Sequence, residues 1–206
     1  MKSALILIDV QNDFLPGGAL AVPGGDQIVP VIRKLTVHYE TIIATQDWHP
    51  AGHGSFATQH PGRKPGEVID LHGVNQVLWP EHCVQHTRGA ELAPGLDTSV
   101  IEHIVRKGTD PAVDSYSAFF DNARRHVTGL EGYLRTNDIA SVYLAGLATD
   151  YCVKYSALDA CDLDFDTWII TDACRGIDLR PGDIDRAYEE MKSAGAHLIT
   201  ASDLIG

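Results

Sequence analysis

From Ile139 to Ala145 the chain runs through mostly apolar, strand-forming residues and stops at Gly146. Beyond Leu147-Ala148-Thr149-Asp150-Tyr151-Cys152, apolar residues recur at helical spacing as Val153, Ala157, Ala160 and Leu163. A strand that turns directly into a helix constrains the fold. The strand needs hydrogen-bonding neighbours, and the helix must pack back over the sheet they form. The same alternation recurs along the chain. Ala4 to Val10, Thr41 to Thr45, His103 to Arg106, Phe165 to Thr171 and Ala196 to Thr200 read as further strands. Helices are expected over Asp26 to His38, with Asp26 as the cap, over Leu130 to Thr136 and over Asp183 to Ala194. A loop with a short helix is expected over Asp110 to Ala123. The pattern predicts an α/β fold: a three-layer, doubly wound arrangement around a six-stranded, mostly parallel sheet. At 206 residues, one domain over 1–206 suffices.

The segment from Pro50 to Gln85 departs from that pattern. It is rich in Gly, Pro and His, has no clear period, and is long for a connection, which marks it as a functional excursion. The glycine pairs at Gly17-Gly18 and Gly24-Gly25 invite a phosphate-loop reading, but no Gly-Lys-Ser/Thr follows them.

Sixteen basic residues against 28 acidic ones leave a formal charge of −12, which argues against nucleic acid and anionic membranes as partners. The apolar stretch Ala4 to Ile8 is too short for a signal peptide and is cut off by Asp9, and no run reaches transmembrane length. Four cysteines, Cys83, Cys152, Cys161 and Cys174, form no Cys-x-x-Cys pair, so reduced thiols and a cytoplasmic location are expected. A homo-oligomer is compatible with all of this.

Chemistry-bearing residues gather at one kind of place. Asp9, Asp47 with His49, Lys107 and Cys152 each follow the carboxyl end of an expected strand. In open α/β sheets those ends share one edge, and ligands bind there. At the start of a helix, Cys152 would meet free N–H groups and partial positive charge, which lower a thiol pKa and can hold an oxyanion. A carboxylate beside that thiol could take its proton and later protonate a departing amine, with an ammonium between them keeping the charges in place. Taken singly, Cys152 also reads as a buried structural cysteine, Asp9 as a turn residue and Lys107 as a surface lysine. Asp47 and His49, two residues apart on an extended segment, point to one side, and His82 could join them. A carboxylate and two imidazoles suit one divalent ion such as Zn, Fe or Mn. His53, His60, His72 and His86 lie in the same region, and spacing alone does not choose among them.

In combination these residues resemble the nicotinamidase (pyrazinamidase) family of the isochorismatase-like superfamily, and among its members the bacterial enzymes. The resemblance rests on Asp9-Val10-Gln11-Asn12-Asp13-Phe14, Gln46-Asp47-Trp48-His49-Pro50, His53-Gly54-Ser55-Phe56-Ala57 and Trp79-Pro80-Glu81-His82-Cys83-Val84-Gln85. It continues through Lys107-Gly108, Asp114-Ser115-Tyr116-Ser117-Ala118-Phe119 and Gly146 to Lys154, and so spans nearly the whole chain. It implies a catalytic triad of Asp9, Lys107 and Cys152 and a metal held by Asp47, His49 and His82. It also implies a cis peptide at Leu147-Ala148, and an oxyanion hole from the Ala148 and Cys152 N–H groups. Phe14, Trp79, Tyr116 and Leu147 are implied as the substrate pocket. The implied reaction is hydrolysis of nicotinamide to nicotinate and ammonia through a cysteine thioester, with pyrazinamide as a further substrate and a role in NAD salvage. His86 departs from the family pattern, which has a small or polar residue there, so it either perturbs the metal shell or faces solvent. Competing readings are another amide or N-carbamoyl hydrolase of the same fold, or a metal-binding or redox-sensing protein without turnover. A zinc deaminase is disfavoured, because His-x-Glu followed by Pro-Cys-x-x-Cys is absent.

Overall fold

The computed structural model describes residues 2–205. Its strands are β1 (Lys2–Ile8), β2 (Thr41–Asp47), β3 (Val68–Leu71), β4 (Val74–Val77), β5 (His103–Lys107), β6 (Ile139–Leu147), β7 (Asp166–Arg175) and β8 (His197–Ile199). The α-helices are α1 (Ile28–Leu35), α2 (Leu130–Thr136), α3 (Lys154–Asp162), α4 (Asp183–Ser193) and α5 (Ala201–Ile205). Six strands form one sheet in the order β5-β2-β1-β6-β7-β8. Every neighbouring pair in it is parallel. The chain steps outward from β1 to β2 and β5, crosses back to β6, and steps outward again to β7 and β8. Between β1 and β6 the winding reverses, and a crevice opens at the carboxyl ends of the strands.

The three layers follow from the period-two alternation of β1. Ala4, Ile6 and Ile8 pack with Leu130 and Leu134 of α2, Ala157 and Ala160 of α3, and Ala187 and Met191 of α4. Leu5 and Leu7 face the opposite way, against Ile28, Ile32 and Leu35 of α1 and Ala201 of α5. Each such Leu or Ile, fully buried, contributes about 1.5–3 kcal/mol. Because β1 is covered on both faces, it reads as a continuous apolar run.

Several elements differ from the sequence-based expectation. The helix expected over Asp26 to His38 is α1 flanked by 3-10 turns at Gly25–Gln27 and Thr36–His38. Asp26 lies inside the first turn, where its backbone is already helical, so it makes no cap. β7 runs on to Arg175 because a register shift after Leu144 lets Gly146 and Leu147 pair with Cys174 and Arg175. No helix forms between Asp110 and Ala123. There the carboxylates of Asp110, Asp114 and Asp121 take the backbone N–H groups of Ala112, Ser115 and Ala123, bonds that compete with helix formation. The excursion after β2 contains the antiparallel β3–β4 hairpin, turned by His72 and Gly73 at φ 53° and 89°. Two positive φ values suit a two-residue hairpin, but His72 is not one of the usual signals for it. Among the described residues, no helix is long and apolar enough to cross a membrane.

Candidate active site

Four adjacent strands, β5, β2, β1 and β6, deliver their ends to the crevice. Asp47 and Lys107 close β2 and β5 as register partners, so their side chains start side by side. Asp9 follows β1 with φ 48°, a left-handed turn that swings its carboxylate toward β2. There the Thr45 hydroxyl donates to Asp9 Oδ1 at 2.5 Å and accepts from the Asp9 N–H at 3.0 Å. Gln11 ties the two strand ends together: its side chain accepts from the Asp47 N–H and donates to the Asp47 carbonyl, both at 2.8 Å.

Lys107 is the hub. Its buried ammonium donates to Asp47 Oδ1 at 2.5 Å, to the Ser115 carbonyl at 2.8 Å and to Cys152 Sγ at 3.4 Å. Asp9 Oδ2 lies 2.8 Å from the same nitrogen. Apart from that ion-pair contact Asp9 Oδ2 has no partner, which leaves it a lone pair with which to accept a proton. Oxygens of Asp9 and Asp47 and Cys152 Sγ all lie within 4.8 Å of one another. Burial works against a charged lysine, but Asp47 and Asp9 outweigh it and hold the Lys107 pKa well above the usual range.

The two carboxylates that share this ammonium are pushed apart. For Asp47, burial favours the neutral acid, but Lys107 and then His49 overcome it and keep the group ionised far below the ordinary value. For Asp9, burial dominates, Lys107 compensates only in part, and the charge of Asp47 adds to the rise. A pair driven in opposite directions splits into a fixed anion and a proton carrier.

Cys152 stands in the first turn of a helical segment, as expected, but its pKa is not lowered there. It lies within a π turn, Thr149–Val153, and α3 begins only at Lys154. Burial raises its pKa well above the ordinary thiol value; Lys107 counteracts this, while Asp9 and Asp47 add to it. The resting sulfur is therefore a thiol beside an acceptor carboxylate. The Leu147–Ala148 peptide is cis, as the resemblance implies.

Asp47, His49 and His82 are buried together, with donor atoms within 4.8 Å of one another. The two imidazoles arrive differently. His49 lies two residues past the end of β2, whereas His82 comes from an irregular loop stitched to it by His49 N–H to Cys83 carbonyl and Gln85 N–H to His49 carbonyl bonds. His49 Nδ1 bonds the Gly108 carbonyl at 2.9 Å and His82 Nδ1 bonds the Pro80 carbonyl at 2.8 Å. Both Nε2 atoms then turn toward Asp47 Oδ2, at 3.6 and 3.8 Å. His49 Nε2 is buried with no hydrogen-bond partner. Imidazoles fixed by carbonyls, an orphaned nitrogen and an ionised carboxylate form a donor set that fits a divalent cation. Gly108 makes room for this: φ is 63°, and a Cβ there would sit 2.3 Å from His49 Cε1. His53 is buried against His49, with ring centroids 4.4 Å apart, and its Nδ1 bonds Ser55 Oγ. His86 is exposed and packs edge-on against Trp48, away from the donor set.

Beside sulfur and donor set lies a narrow cleft, lined by Phe14, Leu20, Asp47, Trp79, His82, Asp114, Tyr116, Ala148, Tyr151, Cys152 and Ile177. Phe14, Trp79 and Tyr116 are where the resemblance puts them. Leu147 does not line the cleft: it is fully buried, in the apolar cluster that includes Ile28 and Ile32 of α1. Leu20, Asp114, Tyr151 and Ile177 were not singled out as pocket residues. Tyr151 adjoins Cys152, and that adjacency is legible in the sequence. Ile177 reaches the cleft because the buried Asp150 carboxylate accepts from the Ile177 and Asp178 N–H groups, a contact 27 residues away in sequence that no local pattern reveals.

The chain matches the isochorismatase domain family over residues 3–203. It is 50% identical over 204 residues to the nicotinamidase of Escherichia coli K12, covering 97% of this chain and 95% of that protein. A solved Acinetobacter baumanii nicotinamidase/pyrazinamidase superposes with a TM-score of 0.96 at 47% identity, over 98% of each chain. A Pyrococcus horikoshii pyrazinamidase solved in complex with zinc superposes with a TM-score of 0.78 at 39% identity, over 97% of this chain and 99% of that one.

Proposed function

This chain belongs to the isochorismatase domain family, and from that premise we propose that it is a nicotinamidase, a cysteine amidohydrolase that converts nicotinamide to nicotinate and ammonia. The observation that carries the reading is a single contact cluster: Lys107 Nζ lies 2.8 Å from Asp9 Oδ2 and 3.4 Å from Cys152 Sγ, beside the Asp47, His49 and His82 donor set.

Asp9 takes the Cys152 proton as sulfur attacks the carboxamide carbon. Lys107 neutralises the charge that moves between them. The Ala148 and Cys152 N–H groups receive the oxyanion, where one such donor is worth about 2.7–4 kcal/mol. The C–N bond breaks, and Asp9 returns the proton to the departing nitrogen, so ammonia leaves. Water then attacks the thioester while Asp9 takes its proton; the C–S bond breaks, nicotinate is released, and the proton goes back to sulfur. The raised Asp9 pKa suits this double duty, since a base that must become an acid works best when its pKa approaches the ambient pH. Asp47, His49 and His82 would hold zinc, iron or manganese, whose open positions would orient the substrate ring through its nitrogen lone pair. The cleft between Phe14, Trp79 and Tyr116 takes the ring, and pyrazinamide fits the same description. The product would feed NAD salvage, in a cytoplasm that keeps the four free thiols reduced.

Ammonia release from nicotinamide by the purified protein, with nicotinate formed in equal amount, tests the reading. No release from nicotinamide with the ion restored, or equal release from the Cys152→Ala variant, would overturn it.

A further inference from the structure

The residues that follow β1 are stitched to the long loop after β4. Gln11 donates to the Ala90 carbonyl and Asn12 to the Arg88 carbonyl, and neither of those partners lines the cleft. Asp13 reaches elsewhere. Its Oδ2 accepts the Cys83 N–H at 2.7 Å, and its Oδ1 accepts the Ala19 N–H at 3.3 Å. Each contact falls one residue from a side chain in the cleft wall: Cys83 follows His82, Ala19 precedes Leu20, and Asp13 itself precedes Phe14. The rings of Phe14 and His82 meet with centroids 5.5 Å apart. One carboxylate thus pins three separate pieces of chain that build one side of the cleft.

The surroundings are fitted to that carboxylate. Cys83 is left-handed, with φ 46°, a conformation that a cysteine keeps only where its neighbours hold it. It is held on both sides, its N–H by Asp13 and its carbonyl by the His49 N–H at 3.0 Å. Gly89 supplies room: a Cβ there would fall 2.0 Å from Asp13 Oδ2, although the backbone of Gly89 has no positive φ that would call for glycine. A carboxylate offers one acceptor oxygen to each of the two N–H groups, whereas an amide has only one such oxygen.

We infer that Asp13 is a positioning residue that holds His82, Phe14 and Leu20 in one frame, and so sets both the affinity of the donor set for its cation and the binding of the amide ring. This rests on the amidase and metal readings above and adds to them a residue that lies outside the cleft lining.

Chelator competition and steady-state kinetics test it together. Asp13→Ala should weaken zinc binding about three- to tenfold, the lower end of what the partners of metal ligands contribute. Gly89→Ala, whose Cβ evicts the carboxylate and leaves Asp13 in the chain, should reproduce the loss. With zinc saturating, Asp13→Ala should raise the KM for nicotinamide by a similar factor and leave kcat within about twofold, because Asp9, Lys107 and Cys152 stand on the strand side. Asp13→Asn keeps an acceptor for the Cys83 N–H and should restore most of the zinc affinity. Asn12→Ala removes the bond to Arg88 on the same segment and should leave zinc affinity unchanged. Zinc affinity within about twofold of wild type in Asp13→Ala or Gly89→Ala, an equal loss in Asp13→Asn or Asn12→Ala, or a kcat that stays low at saturating zinc overturns the inference. A wild type that takes no zinc sinks the metal reading and this inference with it. A wild type that takes zinc but releases no ammonia sinks the amidase reading alone, and the zinc comparison still judges Asp13.

Discussion

The strand ends and the excursion between β2 and β5 build the same site by different means. Asp47 and Lys107 are placed by the register of β2 with the edge strand β5, and Asp9 by the turn that leaves the central strand β1. His82 and Trp79 come from a stretch whose only regular structure beyond short turns is the β3–β4 hairpin, and they are held by scattered side-chain and single-bridge contacts. Groups that must exchange a proton tolerate little displacement, so they sit on paired backbone. Groups that choose the ligand sit where sequence can vary without dismantling the sheet.

Substitutions on the two sides should therefore fail differently. On the strand side, Cys152→Ala should lower ammonia release by about 10⁴-fold or more while the metal content found by elemental analysis stays unchanged. Loss of the metal along with the thiol would mean that the two halves are not separable. Lys107→Met leaves the Asp9 and Asp47 carboxylates buried without their cation and should cost about 3–5 kcal/mol in urea unfolding. A cost below about 0.5 kcal/mol would show that the cluster is not the electrostatic hub described. On the excursion side, His82→Ala should weaken zinc binding at least about tenfold with little change in unfolding, read by competition with a chelator. Trp79→Phe keeps the aromatic wall but removes the donor to Tyr116, and should raise KM severalfold, about 3–10, with kcat nearly constant. The smallest effect is a pH shift. Asp9 must be ionised to act as a base and its pKa is raised, so kcat/KM should fall on the acid side at a pH above the ordinary carboxylate value of 3.8. The Thr45 hydroxyl stabilises the ionised form, so Thr45→Val should favour the protonated form and move that limb to higher pH. A limb that stayed put, or moved down, would detach Asp9 from the proton transfer.

The same division decides what could be read from sequence. Asp9, Asp47, Lys107 and Cys152 are legible because the period-two and helical patterns locate strand ends, and an open parallel sheet sends those ends to one edge. His82 could not be separated from its neighbouring histidines by spacing, and only the resemblance to a known family selected it. At Cys152 the helix start is legible, but the deep burial that outweighs it and raises the thiol pKa depends on distant packing. Leu147, expected in the pocket, is fully buried in the apolar core, and the register shift just before it in β6 leaves no mark in the sequence. The role of Asp13 left no trace, since the Cys83 N–H that it accepts lies 70 residues further along the chain.

Gly108 carries a consequence beyond this chain. With any side chain at that place the His49 imidazole loses its seat, whatever becomes of the rest of the cluster. The identity of this one amino acid in related proteins should therefore sort them into cation users and those that manage without, before any of them is purified.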